Sequence, residues 1–95
     1  MTVHVDIVGY SRSLFSLPSY TFEAKPGLTL KGLMEQLSKL AGPDFKRRIY
    51  DTATCHMNEH IAVFVNAREA RSLEGLDTRL RDGDTVTILP PMAGG

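Results

Sequence analysis

The stretch Thr29-Leu30-Lys31-Gly32-Leu33-Met34-Glu35-Gln36-Leu37-Ser38-Lys39-Leu40-Ala41-Gly42-Pro43 carries the one long helical pattern of the chain. Leu30, Leu33, Met34, Leu37, Leu40 and Ala41 recur three and four residues apart, the spacing of one helical face. Thr29 is placed to cap the first turn, and Gly42-Pro43 to stop the last. Gly32, inside the helix, costs up to about 1 kcal/mol relative to Ala, and reads either as a close approach to a sheet or as a tolerated residue.

Outward from this helix the periodicity changes to two. Toward the N-terminus, Val3, Val5 and Ile7 alternate with His4, Asp6 and Val8, and Tyr20, Phe22 and Ala24 alternate with Thr21 and Glu23. These runs read as two strands of a hairpin joined by the long, turn-rich stretch from Gly9 to Pro18. Toward the C-terminus, residues 43–60 are the least patterned, with a short helix or extended piece at Phe45 to Tyr50. Ile61 to Val65 is a compact apolar run ending at Asn66, which predicts a central strand, apolar on both faces and the best buried of all. A polar turn, a short element from Leu76 to Leu80 and an Asp82-Gly83-Asp84 turn lead to a last strand, Thr85 to Leu89. Pro90-Pro91 ends that strand, since neither residue has an amide hydrogen for a ladder. Two strands, one helix and further strands, with no internal repeat, predict an α+β fold: a mixed sheet of about four to five strands with the helix on one face.

At 95 residues the chain is one domain with one modest core, expected over residues 1–90, followed by a flexible tail over 91–95. Hydrophobic residues at 42% and charged residues at 23% predict a folded chain rather than a disordered one. Eleven basic and eleven acidic residues cancel, so no global field favours nucleic acid or an anionic membrane. The run Lys46-Arg47-Arg48 reads as a solvated loop or as a docking contact for an acidic partner. A single cysteine, Cys55, excludes an intramolecular disulfide and suits a reducing compartment. With both ends taken as native, there is no secretory pattern at Met1-Thr2-Val3-His4 and no apolar run of membrane-spanning length, so a cytoplasmic location is expected.

The tail is where the sequence suggests chemistry. Two terminal glycines arise by chance in about 0.5% of chains; a small disordered end or a residual linker is the plainer account. A carboxylate is a poor acyl electrophile until it becomes an acyl-phosphate anhydride, and an enzyme that activates it must surround the terminus. Glycines carry no Cβ and let a backbone enter a narrow channel. Six residues from Pro90 to Gly95 reach at most about 20 Å. Pro90 and Pro91 stiffen the base of this arm, and Met92 and Ala93 offer small apolar contacts along it.

Val65-Asn66, Gly75-Leu76-Asp77-Thr78, Leu80, Asp82-Gly83-Asp84, Val86 and Pro90-Pro91-Met92-Ala93-Gly94-Gly95 together resemble the ubiquitin-like sulfur carriers. The resemblance is to the small subunit of molybdopterin synthase and to the thiamine and cysteine-synthase sulfur carriers. It is strongest over residues 61–95, and the strand-strand-helix order before them fits the β-grasp fold of that family. It implies a carrier with no active site of its own and no bound cofactor. A ubiquitin-activating-type enzyme would adenylate Gly95 with ATP, sulfur would replace the adenylate to leave a thiocarboxylate, and a second enzyme would consume it. That acceptor would be a molybdopterin synthase large subunit, the branch the paired prolines favour, or a cysteine synthase. Gly94 would give access to Gly95. By family analogy an apolar patch on the sheet would dock partners: Leu89 and Phe64 on the face away from the helix, with Pro90, Pro91, Met92 and Ala93 along the arm. Two other readings stand beside this one, a protein modifier joined to lysines through Gly95 and a binding module with an inert tail.

Cys55-His56-Met57-Asn58-Glu59-His60 holds three potential metal ligands, but without a second, distant pair it is a weak zinc pattern, and a loop leading into a strand is expected with no metal. Adjacency does not set an imidazole against the thiol, and no third orienting group is evident for a Cys-His nucleophile. His4 reads as a surface residue. No glycine loop that could cradle a phosphate is present, so ATP falls to a partner.

Overall fold

The computed structural model describes residues 1–9, 14–42 and 44–89. Strand β1 (Thr2–Ile7) turns back into β2 (Ser19–Glu23), and the two pair antiparallel with Val3 opposite Phe22 and Val5 opposite Tyr20. The alternation seen in the sequence sets this register, because a slip by one residue would turn Val3, Val5 and Ile7 out to water. All three are instead buried.

Helix α1 (Leu30–Leu40) begins where expected: the Thr29 Oγ1 accepts from the Gly32 N–H at 3.3 Å, and the Leu30 N–H donates to the Thr78 carbonyl at 2.9 Å. Its last turn closes through Ala41 N–H to the Leu37 carbonyl, and Gly42 N–H then reaches the Leu14 carbonyl. Pro43 lies outside the described residues. Of the two readings of Gly32, the structure supports no close approach to the sheet. A Cβ built there would meet the Leu28 Cδ1 at 2.9 Å, the far end of a side chain that can swing away.

A short helix α2 (Phe45–Arg48) leads into a two-stranded ladder of β3 (Tyr50–Asp51) and β4 (His56–Met57). The main sheet resumes with β5 (Ala62–Val65), β6 (Arg68–Glu69) and, after 3-10 turns at Ala70–Ser72 and Gly75–Asp77, β7 (Thr85–Leu89). The expected Leu76 to Leu80 element is therefore a 3-10 turn followed by an extended piece, bridged at Arg79 to Thr29.

The sheet order is β2-β1-β7-β5-β6, with β1 and β7 parallel and every other pair antiparallel. The first and last strands of the described chain thus lie side by side at the centre. One face packs on α1: Val3, Val5, Val86 and Ile88 meet Leu30, Leu33, Met34 and Leu37 in one core, all at 0 or 1% exposure. Each such side chain contributes roughly 1.5–3 kcal/mol by leaving water, so truncating Leu33 to Ala would cost about 2–5 kcal/mol. The arrangement is the β-grasp fold that the resemblance implied.

One expectation is corrected. Ile61 to Val65 is an inner strand, paired on both edges as expected, but it is not the best buried. β5 lies next to the two-residue edge strand β6, and its side chains alternate, with Val63 and Val65 buried and Ala62 and Phe64 half-buried. The deepest burial belongs to β1 and β7, whose outward residues are polar except for Leu89.

Candidate functional site

The residues that would carry the acyl chemistry, Gly94 and Gly95, lie outside the described residues, as do Pro90, Pro91, Met92 and Ala93. What the structure describes is the platform from which they extend, and that platform is β7. Its start is locked from three sides. Asn66, with φ at 57°, takes the left-handed conformation that Asn tolerates better than most residues. From there its Nδ2 donates to the Asp84 Oδ1 at 3.0 Å, its Oδ1 accepts the Thr85 N–H at 3.0 Å, and its own N–H reaches the Thr85 carbonyl at 2.7 Å. The Asp84 Oδ2 accepts the Arg81 N–H at 2.8 Å, and the Asp84 carbonyl accepts from the N–H of His4 on β1 at 2.9 Å. Gly83, with φ at 86°, makes the turn between them and donates to the Thr2 carbonyl. Asn66, Gly83 and Asp84, which carried much of the resemblance, are therefore structural, as is Asp82, whose Oδ1 accepts the Thr2 N–H at 2.7 Å. They fix the register and direction of the strand that presents the tail.

The Gly75-Leu76-Asp77-Thr78 motif is structural in the same sense. Thr78 is buried, and its hydroxyl donates to the Gly75 carbonyl at 2.7 Å and accepts the Glu74 N–H at 3.1 Å, while its carbonyl caps α1. Gly75 sits at φ 59°, where a Cβ would be strained.

Of the sequence-predicted docking pair, the structure places both members on the sheet face away from α1. Val86 and Ile88 are buried, so Thr85, Thr87 and Leu89 project to the other side. The ladder sets Ala62 opposite Leu89 and Phe64 opposite Thr87, which makes Phe64 and Leu89 diagonal neighbours. The outer face is otherwise polar, with His4 and Asp6 on β1, Ser19 and Thr21 on β2, and Thr85 and Thr87 on β7. His4 is exposed, its Nδ1 3.3 Å from the Thr21 Oγ1. Among the described residues of this face, apolar side chains gather where β7 ends, in Phe64, Ala62, Leu89 and Val8, the last 39% exposed with its N–H on the Ile88 carbonyl; Leu17 and Leu40 are the other exposed large apolar residues. Sequence reasoning did not single out Val8 and Ala62. The signal was present for Val8, which sits in the outward set of the first alternation.

The Cys55–His60 segment is less loop-like than expected. Cys55 is exposed at φ 57° in the turn between β3 and β4, and His56-Met57 form β4 itself. Among the described residues no group of three or more His, Cys, Asp or Glu side chains is placed to hold a metal ion. Beside this turn the Tyr50 hydroxyl is fully buried with no hydrogen-bond partner among the described residues. Burial, and next the neighbouring Cys55, push its pKa up to about 12. No helix of the described residues is long and apolar enough to cross a membrane.

The ThiS family model matches residues 5–95, nearly the whole chain. A protein of Archaeoglobus fulgidus whose description is sulfur carrier protein is 38% identical over 68 residues, 72% of this chain and 75% of its own length. Small archaeal modifier protein 3 of Haloferax volcanii is 38% identical over 73 residues, covering 77% of this chain and 72% of that one. Among solved structures, a chain of the Amycolatopsis orientalis BexX/CysO complex superposes with a TM-score of 0.73 at 30% identity, over 98% of this chain and 99% of that one.

Proposed function

The chain belongs to the ThiS family, and on that premise we propose that it is a sulfur carrier whose working group is the carboxylate of Gly95, with no active site of its own. One carboxylate oxygen attacks the α-phosphorus of ATP held by a ubiquitin-activating-type enzyme, and pyrophosphate leaves. A hydrosulfide sulfur then attacks the mixed anhydride carbonyl and AMP leaves, so that the terminus is a thiocarboxylate. The acceptor enzyme's substrate takes the sulfur while it is still joined to the terminus, and water then hydrolyses the C–S bond to return the carboxylate. Gly94 gives the backbone room to enter both active sites, and Pro90, Pro91, Met92 and Ala93 form the arm that reaches them.

The observation that carries this reading is the gathering of Phe64, Ala62, Leu89 and Val8 on the outer sheet face, at the end of the strand that precedes the tail. A partner that closes on the terminus meets this patch first. The patch desolvates readily, whereas the polar remainder of the face does not. Leu89 and Phe64 anchor the body while the arm is threaded.

The test is to incubate the protein with ATP, its activating enzyme and a sulfur donor and to measure intact mass. Replacement of one oxygen by sulfur at Gly95 is expected, and its absence with an active enzyme would sink the proposal. Addition of a molybdopterin synthase large subunit, the first acceptor to try, or of a cysteine synthase should discharge the thiocarboxylate. The likeness to an archaeal protein named as a modifier favours a second reading, in which the same adenylate ends as an isopeptide bond to lysines. Conjugates of higher mass in place of sulfur exchange would select it.

A further inference from the structure

A cleft of about 330 Å³ opens at the other end of β7, on the helix side of the sheet, and three arginines converge on it. The fold brings them from two places. Arg68 opens β6 opposite Val65, and since Val65 faces the core, Arg68 projects on that same side. Residues 78–81 run extended, held by Leu30 N–H on the Thr78 carbonyl and Leu80 N–H on the Leu28 carbonyl. In that run Thr78 and Leu80 are buried, so Arg79 and Arg81 both point outward beside Arg68. All three are exposed, and none has a carboxylate within 4 Å among the described residues, where the ion pairs are Arg47 with Asp44 and His60 with Glu59.

Two acids border the guanidinium groups. Asp84 lines the same cleft, but its oxygens are engaged by the Asn66 Nδ2 and the Arg81 N–H. Glu74 lines the adjoining hollow that shares Arg79 and Arg81. The floor, Val65 and Leu73, is apolar. A nucleic acid backbone would carry repeated charge across Glu74 and Asp84 on a chain whose formal net charge is zero. Individual carboxylates on a peptide can instead be spaced to meet the guanidinium forks two oxygens at a time, with their aliphatic stems on the apolar floor.

We propose that the Arg68, Arg79 and Arg81 cleft is a second docking site that takes an acidic, Asp- or Glu-rich segment of a partner protein. Its place gives the site its value. β7 spans about 13 Å from Thr85 to Leu89, and the cleft lies at the opposite end of this strand, and on the opposite face, from the Phe64 and Leu89 patch. A partner held here leaves the tail and its patch open, so one protein can retain the chain while another works on the terminus. The site stands apart from the reading of Gly95, and removing the tail leaves it intact.

The test is a titration of the ¹⁵N-labelled full chain with hexaglutamate at low salt, followed by amide shifts, with inorganic phosphate and oligothymidylate as separate arms. Hexaglutamate should move Asn66, Arg68 and Thr78 to Asp84, with affinity falling as salt rises. The exposed double variant R79A/R81A, checked for an unchanged fold by its remaining spectrum, should bind about tenfold more weakly, and a chain lacking Gly94-Gly95 should bind as well as the parent. Shifts centred on Lys46-Arg47-Arg48, no saturable shifts, equal binding by R79A/R81A, or tighter binding of phosphate or oligothymidylate at the same amides would each overturn the assignment. Because the truncated chain is scored in the same experiment, failure of the Gly95 chemistry and failure of this site are read separately.

Discussion

Replacing Asn66 tests whether the lock on β7 has the composition described, because two of its terms can be separated by the choice of substitute. Asn66→Ala removes the bond to Asp84 Oδ1 and the bond from Thr85 N–H, and it leaves a β-carbon at φ 57° without a side chain able to compensate. Two partly solvated hydrogen bonds contribute about 2 kcal/mol together, and the left-handed conformation costs an ordinary residue about 1 kcal/mol or more. The expected loss is thus about 3 kcal/mol. Asn66→Gly loses the same two bonds, but glycine adopts that conformation freely, and its greater unfolded-state entropy returns part of the difference. A loss of about 2.5 kcal/mol is expected, between the bond loss alone and the Ala value. The backbone bond from residue 66 N–H to the Thr85 carbonyl persists in both. Urea unfolding followed by circular dichroism measures each value, with the slope checked for constancy. If Ala and Gly prove equal, or if both cost under about 0.5 kcal/mol, the side chain does not lock β7 in the way argued. At a temperature where Asn66→Gly remains folded, its rate of thiocarboxylate formation should match the parent, since the residue lies away from the tail.

Tyr50→Phe should leave stability unchanged or raise it by about 1 kcal/mol at neutral pH, because it removes a buried hydroxyl that has no partner; a thermal midpoint clearly below the parent would contradict this. With the Tyr50 pKa at about 12 when folded against 10.0 ordinarily, the unfolded chain gives up this proton first. The contribution is fully present below pH 10 and is lost as pH climbs to about 12, so unfolding titrations across that window should show a fall of about 2 kcal/mol that Tyr50→Phe abolishes. Phe64→Asp and Leu89→Asp should each weaken binding to the activating enzyme about tenfold or more while changing stability by under about 1 kcal/mol; unchanged affinity measured by calorimetry would remove the patch from the docking surface. Deleting Gly95 should abolish mass conversion with the fold intact by circular dichroism, and retained conversion would move the chemistry elsewhere.

The parts of the fold most legible in the sequence were those where burial is one-sided. Val3, Val5, Ile7, Val86 and Ile88 alternate with polar residues because one sheet face meets α1 and the other meets water. The helix was legible for the same reason, with Thr29 marking its start. β5 was misjudged because Ala62 and Phe64 are apolar, and an apolar outward residue cannot be told by periodicity from a buried one. They are the outer patch, so the feature read as central burial is the one that distinguishes this end of the sheet. β3 and β4 escaped because two residues carry no period, and Tyr50 is buried by the chain around it. Phe64 and Leu89 followed from the alternation once Val86 and Ile88 were assigned to the core. The arginine cleft did not, since Arg68 and Arg79 are eleven positions apart and meet only through the turn at Asn66 and the course of residues 78–81.

The central place of β7 also has a mechanical meaning. A pull on the tail runs along the strand axis, and β7 is bonded along its length to β1 on one side and β5 on the other. The load falls across those inter-strand bonds together rather than on one end bond at a time, as it would if an edge strand were peeled. Since β1 is the first strand of the described chain, the tension passes from one end of the domain directly to the other without crossing α1 or the small β3–β4 ladder. On the proposed function, a carrier held by its terminus would come free of a tight active site with its shape kept.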